Sequence, residues 1–398
     1  MKTALWLYLF LFIAFFDLHA QYPILTPFAI SLGAAPSFIG LMMGLYSVTH
    51  LPGNLMASVY VDRFGSRPFI IGSLLLAGSI LLIQAMVTSP WQLLLLRSIA
   101  GFVLAFLSPA CLSLLARLSN DISQQGKLMA GNGLVHTLAS VLSPAAGAIL
   151  VAKLGFTSAF FILGVILIVT ALFALFFLKE AKVASDQPAE NKAAPTVKAP
   201  YHHSTELVDN TLKSSHISWN IFLIPVGLSC AQGIITFELP LMVQNNGSIM
   251  TTGLLFTVIS IGSLITLCML FINRFNPAYR TVLGTIALAL LYFMLAADAP
   301  IPFMAILLFI GMCKGLVFPA LSHWLIQLSN GERYGRTFSI LAIASSIGAF
   351  LGPFLAGHLR DFISPYFISF IVLSLALAFN ALPARKSPKI IGPESPAA

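Results

Sequence analysis

The sequence of 398 residues contains little charge: only 9% of its residues are charged, against roughly 25% in soluble proteins. Acidic residues are especially scarce, with 13 Asp and Glu in the whole chain. Hydrophobic residues make up 58%, and the mean hydropathy is +0.93. A soluble fold cannot cover this much apolar surface, so the sequence indicates a protein whose solvent is lipid.

Several kinds of chemistry are also missing from the sequence. The four cysteines have no metal-ligand spacing, which argues against a metal site or a disulfide framework. There is no Gly-Lys-Ser/Thr phosphate loop and no nucleophile elbow, so we expect no ATP-driven transport by this chain alone, no enzymatic activity and no cofactor. The net charge of +8 is spread over short loops, which excludes a nucleic-acid-binding domain.

Twelve apolar stretches are long enough to cross about 30 Å of hydrocarbon as helices. The first continues past Tyr22, so we interpret it as a transmembrane helix rather than a cleaved signal peptide. The predicted spans are 5–31, 37–61, 68–88, 91–116, 128–152, 157–178, 217–243, 251–272, 280–297, 301–328, 337–359 and 365–382. The fold class is therefore an all-α integral membrane protein with twelve transmembrane helices.

Lys and Arg predict the orientation of the spans. If the N-terminus is cytoplasmic, 17 of the basic residues lie on the cytoplasmic side and only two on the opposite side. We expect both termini to be cytoplasmic. Residues 179–216 are polar and rich in Ala and Pro, which predicts a cytoplasmic linker between a bundle at 1–178 and a bundle at 217–383, with a tail at 384–398.

The two predicted bundles repeat the same sequence features in the same order. Asp62-Arg63-Phe64 corresponds to Asn273-Arg274-Phe275, and Pro144 corresponds to Pro353, with offsets of 209 to 211 positions for the whole series. A constant offset indicates one six-helix module built twice, with parallel halves. In such proteins the substrate site usually lies between the halves.

Residues 61–68 (Val-Asp-Arg-Phe-Gly-Ser-Arg-Pro) resemble the cytoplasmic loop motif of the major facilitator superfamily. Arg97 with Gly101 is similar to the second motif of that family, and residues 143–147 resemble the glycine-proline motif of its exporters. Locally the chain looks most like bacterial proton-coupled drug-efflux members. The resemblance implies two six-helix bundles, alternating access and a multi-pass protein of the bacterial inner membrane.

The resemblance also implies roles for the motif residues. Asp62, Arg63, Gly65 and Arg67 would form a conformational latch, and Pro144, Gly147, Gly352 and Pro353 would serve in helix gating. Simpler interpretations stay open from the residues alone. The two arginines suffice as topological anchors, and glycines within spans suffice for close helix packing.

Four charged residues fall inside predicted spans, where a charge is costly unless it is paired or hydrated: Asp17, Arg97, Glu238 and Lys314. They lie on the first, fourth, seventh and tenth predicted spans, and the corresponding helices line the central cavity in the family that the chain resembles. Depths along the helices make an Asp17–Arg97 pair feasible and put Glu238 near the level of Arg97.

We interpret Asp17 as the leading proton-coupling residue and Glu238 as the second candidate. Arg97 and Lys314 are candidates for binding an anionic substrate group or for charge pairing, with Glu238 as a possible partner of Lys314. Additional candidates for the cavity lining are Gln21, His50 and Asn54. A buried ion pair that only fixes helix packing is the alternative.

The resulting functional prediction is a secondary transporter that uses protons to export a small amphipathic compound. An uptake symporter for an organic anion or a sugar, and a flippase for a lipid or lipid-linked sugar, are alternatives. The expected partners are the small-molecule or lipid-like substrate, protons and the bilayer, and the protein is expected to be a monomer.

Overall fold

The computed structural model describes residues 2–118, 122–178, 219–246, 248–329 and 334–381. In these ranges all regular secondary structure is helical, as predicted. The α-helices are α1 (Lys2–Ala20), α2 (Tyr22–Ser31), α3 (Pro36–Phe64), α4 (Ser66–Gln84), α5 (Pro90–Leu104), α6 (Leu107–Ala116), α7 (Ile122–Phe177), α8 (Leu223–Asn246), α9 (Ile249–Cys268), α10 (Pro277–Ala296), α11 (Phe303–Leu328), α12 (Tyr334–Leu359) and α13 (Pro365–Ala381). Short 3-10 turns at Trp219–Phe222 and Leu270–Arg274 precede α8 and α10.

Two predicted spans are broken helices. The first consists of α1 and α2, which are interrupted at Gln21, and the fourth consists of α5 and α6. Each break lies just ahead of a proline, Pro23 or Pro109, which has no backbone N–H to continue the helical hydrogen bonds. The break at Gln21 leaves this polar side chain in the interior of the protein, where it is buried.

The helix α7 contains two predicted spans. Its backbone turns sharply at Gly155, where φ is 80° and ψ is 170°. Only glycine adopts this conformation without strain, and the turn lets the chain reverse direction across the membrane. With the two parts of α7 counted separately, the described residues make twelve passes, and nine helical segments among them are long and apolar enough to span a membrane.

Each half of the described chain has its own apolar core. One buried cluster is built mainly from α1 to α7, and the other from α8 to α13. The first cluster extends into the second half through residues of α8 such as Ile234 and Phe237. The two halves therefore pack against each other through apolar side chains.

We call the membrane side where α1 begins and α13 ends the terminal side, and the opposite side the far side. The halves touch closely on the far side. A Cβ on Gly40 of α3 would collide with the Pro353 carbonyl of α12, and a Cβ on Gly253 of α9 would lie 2.7 Å from the Pro144 carbonyl of α7. The two prolines that the repeat aligns thus each face a glycine of the other half.

The predicted linker 179–216 lies outside the described residues, and so does the tail 384–398. The boundaries of the bundles at 1–178 and 217–383, and the cytoplasmic location of both ends, stay predictions.

Candidate substrate cavity

The centre of the site is a hydrogen-bonded chain of three side chains. Gln21 donates from Nε2 to Asp17 Oδ2 at 2.9 Å, and Arg97 donates from Nη1 to Gln21 Oε1 at 2.6 Å. All three side chains are buried. Depth along the helices made an Asp17–Arg97 pair feasible, but Gln21 lies between the two residues and they make no direct ion pair.

Gln21 can bridge because the helix breaks at this residue. Its backbone N–H still bonds to the Asp17 carbonyl at 3.2 Å, so its side chain stays one turn from Asp17. Pro23 then lies in the first turn of α2, where its nitrogen has no hydrogen to donate and none is needed. The amide side chain thereby offers a donor to the carboxylate and an acceptor to the guanidinium, which links the two charged groups.

The network is not saturated. Asp17 Oδ1 and Arg97 Nε have no hydrogen-bond partner among the residues that the structure describes. The guanidinium of Arg97 also lies over the Tyr46 ring, 4.7 Å from its centroid, which adds a cation–π contact. The carboxylate oxygen of Asp17 that has no partner in the described chain can accept a proton without breaking an existing hydrogen bond.

Arg97 and Gln21 line a cavity of about 340 Å³ between the halves, which we call the inner chamber. His50 also lines it, one helical turn from Tyr46 on α3. The second half contributes Ser229 and Gln232 from α8 and Ser345 and Ser346 from α12. The predicted lining residue Asn54 is partly buried but is not among the residues that line this chamber.

A second cavity of about 390 Å³, the lysine chamber, contains Lys314 of α11. The first half lines it with His19 and His136, whose rings meet edge to face with centroids 5.2 Å apart. The lysine chamber extends to Leu267, near the end of α9 on the terminal side. The inner chamber extends toward Pro353 on the far side.

The two chambers share three lining residues: Tyr22, Gln232 and Phe318. These side chains form a wall between the chambers, with Tyr22 from the first half and the other two from the second half. The site is therefore a pair of adjoining compartments along the axis between the bundles.

Glu238 is located away from both chambers. Its Oε1 lies 3.5 Å from Arg360 Nη2 at the far end of α12, and its Oε2 has no partner within the described ranges. The interpretation that Glu238 pairs with Lys314 is therefore wrong in this structure. Depth along the helix carried no information on the direction of the side chain, which points to Arg360 and to neither chamber.

The loop between α3 and α4 has the contacts of a latch. Asp62 accepts a hydrogen bond at 3.1 Å from Arg117, at the end of α6. Arg67 donates at 2.7 Å to the Leu175 carbonyl at the end of α7. On the terminal side, these two contacts join the loop between α3 and α4 to the ends of α6 and α7.

Gly65 and Arg63 complete this loop. Gly65 joins α3 to α4 with φ of 88°, a conformation that favours glycine. Arg63 lies over the Phe64 ring at 5.3 Å.

The predicted gating residues lie where helices approach most closely. A Cβ at Gly147 would collide with the Ala20 carbonyl, and one at Gly352 would collide with the Cys230 carbonyl. Both contacts join helices within one half, whereas the carbonyls of Pro144 and Pro353 face the other half. Close packing explains the glycines, and the prolines mark the contact between the halves.

Tyr46 and His19 are among the cavity residues that the sequence did not predict. Tyr46 lies four residues before His50 and thus on the same helix face, which was a usable signal. His19 follows Asp17 by two residues at what resembled a signal-peptide end, so its place in the lysine chamber could not be read. Its Nδ1 donates to the Phe15 carbonyl at 2.7 Å.

Comparison with known proteins identifies the family. The family model described as Major Facilitator Superfamily matches residues 7–297 and 221–396. The chain is 25% identical over 381 residues to the multidrug resistance protein MdtG of Escherichia fergusonii, an alignment that covers 89% of this chain and 88% of the relative. MdtG of Escherichia coli strain 55989 is 23% identical over 364 residues, covering 87% and 85%.

Solved structures share the fold at lower identity. A bacterial homolog of the human lysosomal transporter Spinster, in an inward-facing and unoccupied conformation, matches with a TM-score of 0.72 and 15% identity over 95% of each chain. A point mutant of the nucleoside transporter NupG matches with a TM-score of 0.70 and 14% identity, covering 95% of this chain and 99% of that one.

Proposed function

The chain belongs to the major facilitator superfamily, and on that premise we propose that it is a secondary transporter that exports a small amphipathic compound in exchange for protons. The chain is a membrane transporter of this family, and the direction, the coupling ion and the substrate are the proposal. The observation that carries it is the Asp17–Gln21–Arg97 network beside the inner chamber.

Asp17 is the proposed proton site. Its carboxylate has one oxygen held by Gln21 and one without a partner in the described chain, so a proton can bind while the bridge to Arg97 persists. Conversely, loss of that proton leaves a negative charge that Arg97 stabilises through Gln21. Glu238 is the second candidate, since its Oε2 also lacks a partner among described residues. Its ion-pair partner Arg360 lines neither chamber, whereas Gln21, the partner of Asp17, lines the inner chamber.

The inner chamber supports an amphipathic substrate. Its wall combines apolar and aromatic side chains such as Leu25, Met43 and Phe318 with hydroxyl and amide groups. A compound with an apolar body and one or two polar groups fits such a lining. Export is supported by the similarity to proteins named for multidrug resistance.

An uptake symporter for an organic anion is the second candidate function, because Lys314 lines a chamber without a carboxylate partner in the described chain. A sugar symporter and a lipid flippase share the same fold requirements, and no contact among the described residues favours them.

Everted membrane vesicles containing the protein test the proposal. We expect accumulation of a fluorescent amphipathic dye that depends on an inside-acidic pH gradient, and a wild-type rate that collapses when a protonophore is added. Asp17→Asn should lower the gradient-dependent rate by about a hundredfold, because the variant cannot carry a proton.

Glu238→Gln is the matched control for this experiment, since it removes one proton-binding carboxylate at similar burial. Coupled flux that survives in Asp17→Asn and vanishes in Glu238→Gln would transfer the proton role to Glu238. Movement of substrate together with protons from the vesicle lumen to the medium would support uptake in place of export, because the lumen of an everted vesicle corresponds to the outside of the cell.

A further inference from the structure

The lysine chamber has a positive charge that the protein does not compensate. No carboxylate of a described residue lies within 4.0 Å of the Lys314 ammonium, and none lines the lysine chamber. The inner chamber is lined by Arg97 and likewise by no described carboxylate. The two acidic groups buried in the described spans are engaged elsewhere, since Asp17 is held by Gln21 and Glu238 by Arg360.

An ammonium group at this depth is costly without a counter-charge or several acceptors. The protein therefore retains a cation here at the expense of stability. Arg97 has Gln21, Asp17 and Tyr46 to offset this cost. For Lys314, a counter-charge has to come from a molecule bound in the lysine chamber, because no described carboxylate lines it.

Other unused donors face the same chamber. His136 of α7 makes no hydrogen bond within the described residues, and neither does the hydroxyl of Ser260 on α9. Both can donate to an anion, and the positive charge of Lys314 acts on the His136 ring. Since α7 belongs to the first half and α9 and α11 to the second, one bound anion would contact both halves.

We propose that Lys314, His136 and Ser260 form a binding site for the anionic group of an amphipathic anion whose apolar body packs against apolar residues of the same chamber, such as Phe256 and Ile259. This inference rests on the proposed transport function and adds the charge of the substrate. A carboxylate, sulfonate or phosphate group on an apolar body has the required chemistry, whether it comes from a free compound or a lipid headgroup.

Binding to the purified protein in detergent tests this site with three probes of one shape. Naphthalene-2-sulfonate is anionic, naphthalene-2-sulfonamide is neutral and 2-naphthylmethylammonium is cationic. We expect the sulfonate to bind most tightly by calorimetry. Lys314→Gln should weaken sulfonate binding by about tenfold or more, the loss expected for a charge-assisted hydrogen bond, and leave sulfonamide binding unchanged.

Control variants keep the test independent of folding defects. Lys314→Arg keeps the charge and should retain most of the sulfonate affinity. Lys153→Gln removes an exposed cation and should change nothing. Equal affinity of wild type for sulfonate and sulfonamide, or unchanged sulfonate affinity in a folded Lys314→Gln protein, would overturn the site.

Two further experiments identify the source of the anion and distinguish failure of the binding site from failure of the transport proposal. In nanodiscs, competition by phosphatidylglycerol but not by phosphatidylcholine would assign the anion to a lipid headgroup; absence of competition would assign it to a free compound. Lys314-dependent sulfonate binding without gradient-dependent flux would leave the site standing and refute the transport function. Gradient-dependent export of a cationic dye that Lys314→Gln leaves intact would refute the anionic substrate and leave export standing.

Discussion

The two halves of the protein have the same helical scaffold but use their buried charges differently. The first half connects Asp17 through Gln21 to Arg97, and Gln21 and Arg97 line the inner chamber. The second half pairs Glu238 with Arg360 near the far side and leaves Lys314 without a carboxylate in its chamber, as far as the described residues extend. Where the first half has Arg97, the repeat places Leu307, which is fully buried in the second core.

The comparison shows that the two copies of a duplicated module can keep the same packing contacts while their buried charges differ. Symmetric contacts remain at positions that only need shape, such as the two proline carbonyls that face glycines of the opposite half. Charge is costly to bury, and the two halves place it differently: the first half in the network at the inner chamber, the second half in the Glu238–Arg360 pair and at Lys314. Substitutions that make one half resemble the other test this division.

The largest effect is expected from making the first half resemble the second with Arg97→Leu. The change leaves Gln21 Oε1 and the Asp17 carboxylate without their cation, so we expect a loss of about 3 kcal/mol in stability and no coupled flux. Unfolding in mixed detergent micelles measures the first quantity and vesicle transport the second.

The double variant Asp17→Asn/Arg97→Leu serves as the control, because it removes both charges together. It should regain most of the stability but none of the coupled flux. Recovery of transport in the double variant would mean that the network has only a packing role.

The second effect concerns the contact between the halves. Gly40→Ala and Gly253→Ala each place a methyl group against a backbone carbonyl or methyl of the other half, so a helix must shift. We expect each variant to weaken closure of the far side and to lower the transport rate about tenfold, as a cost of roughly 1.4 kcal/mol implies.

Gly72→Ala is the matched substitution, since a Cβ at Gly72 meets nothing within 4 Å. It should transport as the wild type does. Labelling of a cysteine placed near the far end of α3 should rise in the two interface variants only. Unchanged labelling in both would show that the far-side contact does not control access.

Much of the fold followed from the sequence, because apolar length and loop charge are strong signals in a membrane protein. The four intramembrane charges were identified for the same reason. Their partners were not, because helices such as α8 are apolar on nearly every face and give no periodicity that tells which way Glu238 points. Gln21 was identified as a lining residue, but its bridging position depends on the break in the first span.

The third effect tests whether the Glu238–Arg360 pair has any part in coupling. Arg360 is partly exposed, so the pair is only partly shielded from water. We expect Glu238→Gln to lower coupled flux by less than about twofold and to cost below ~1 kcal/mol in stability. Transport at several imposed pH gradients measures this, and a lost gradient dependence would contradict the expectation.

The smallest effect on stability is expected from Asp62→Asn, which gives the loop between α3 and α4 the residue that the repeat places at Asn273. The Asp62 side chain is 74% exposed, so its pair with Arg117 contributes little to the folded state. We expect an unchanged unfolding transition and a transport rate lowered about two- to fivefold, the factor that an exposed pair worth under ~1 kcal/mol allows. Arg117→Gln should match it; a full loss of transport in one variant alone would exclude a shared latch.

The wall of Tyr22, Gln232 and Phe318 has a consequence for the range of molecules that the protein accepts. Tyr22, Gln232 and Phe318 line both cavities, so a substitution at one of them changes both at once. We expect Phe318→Ala to join the inner chamber to the lysine chamber and to admit longer molecules without a change in helix packing.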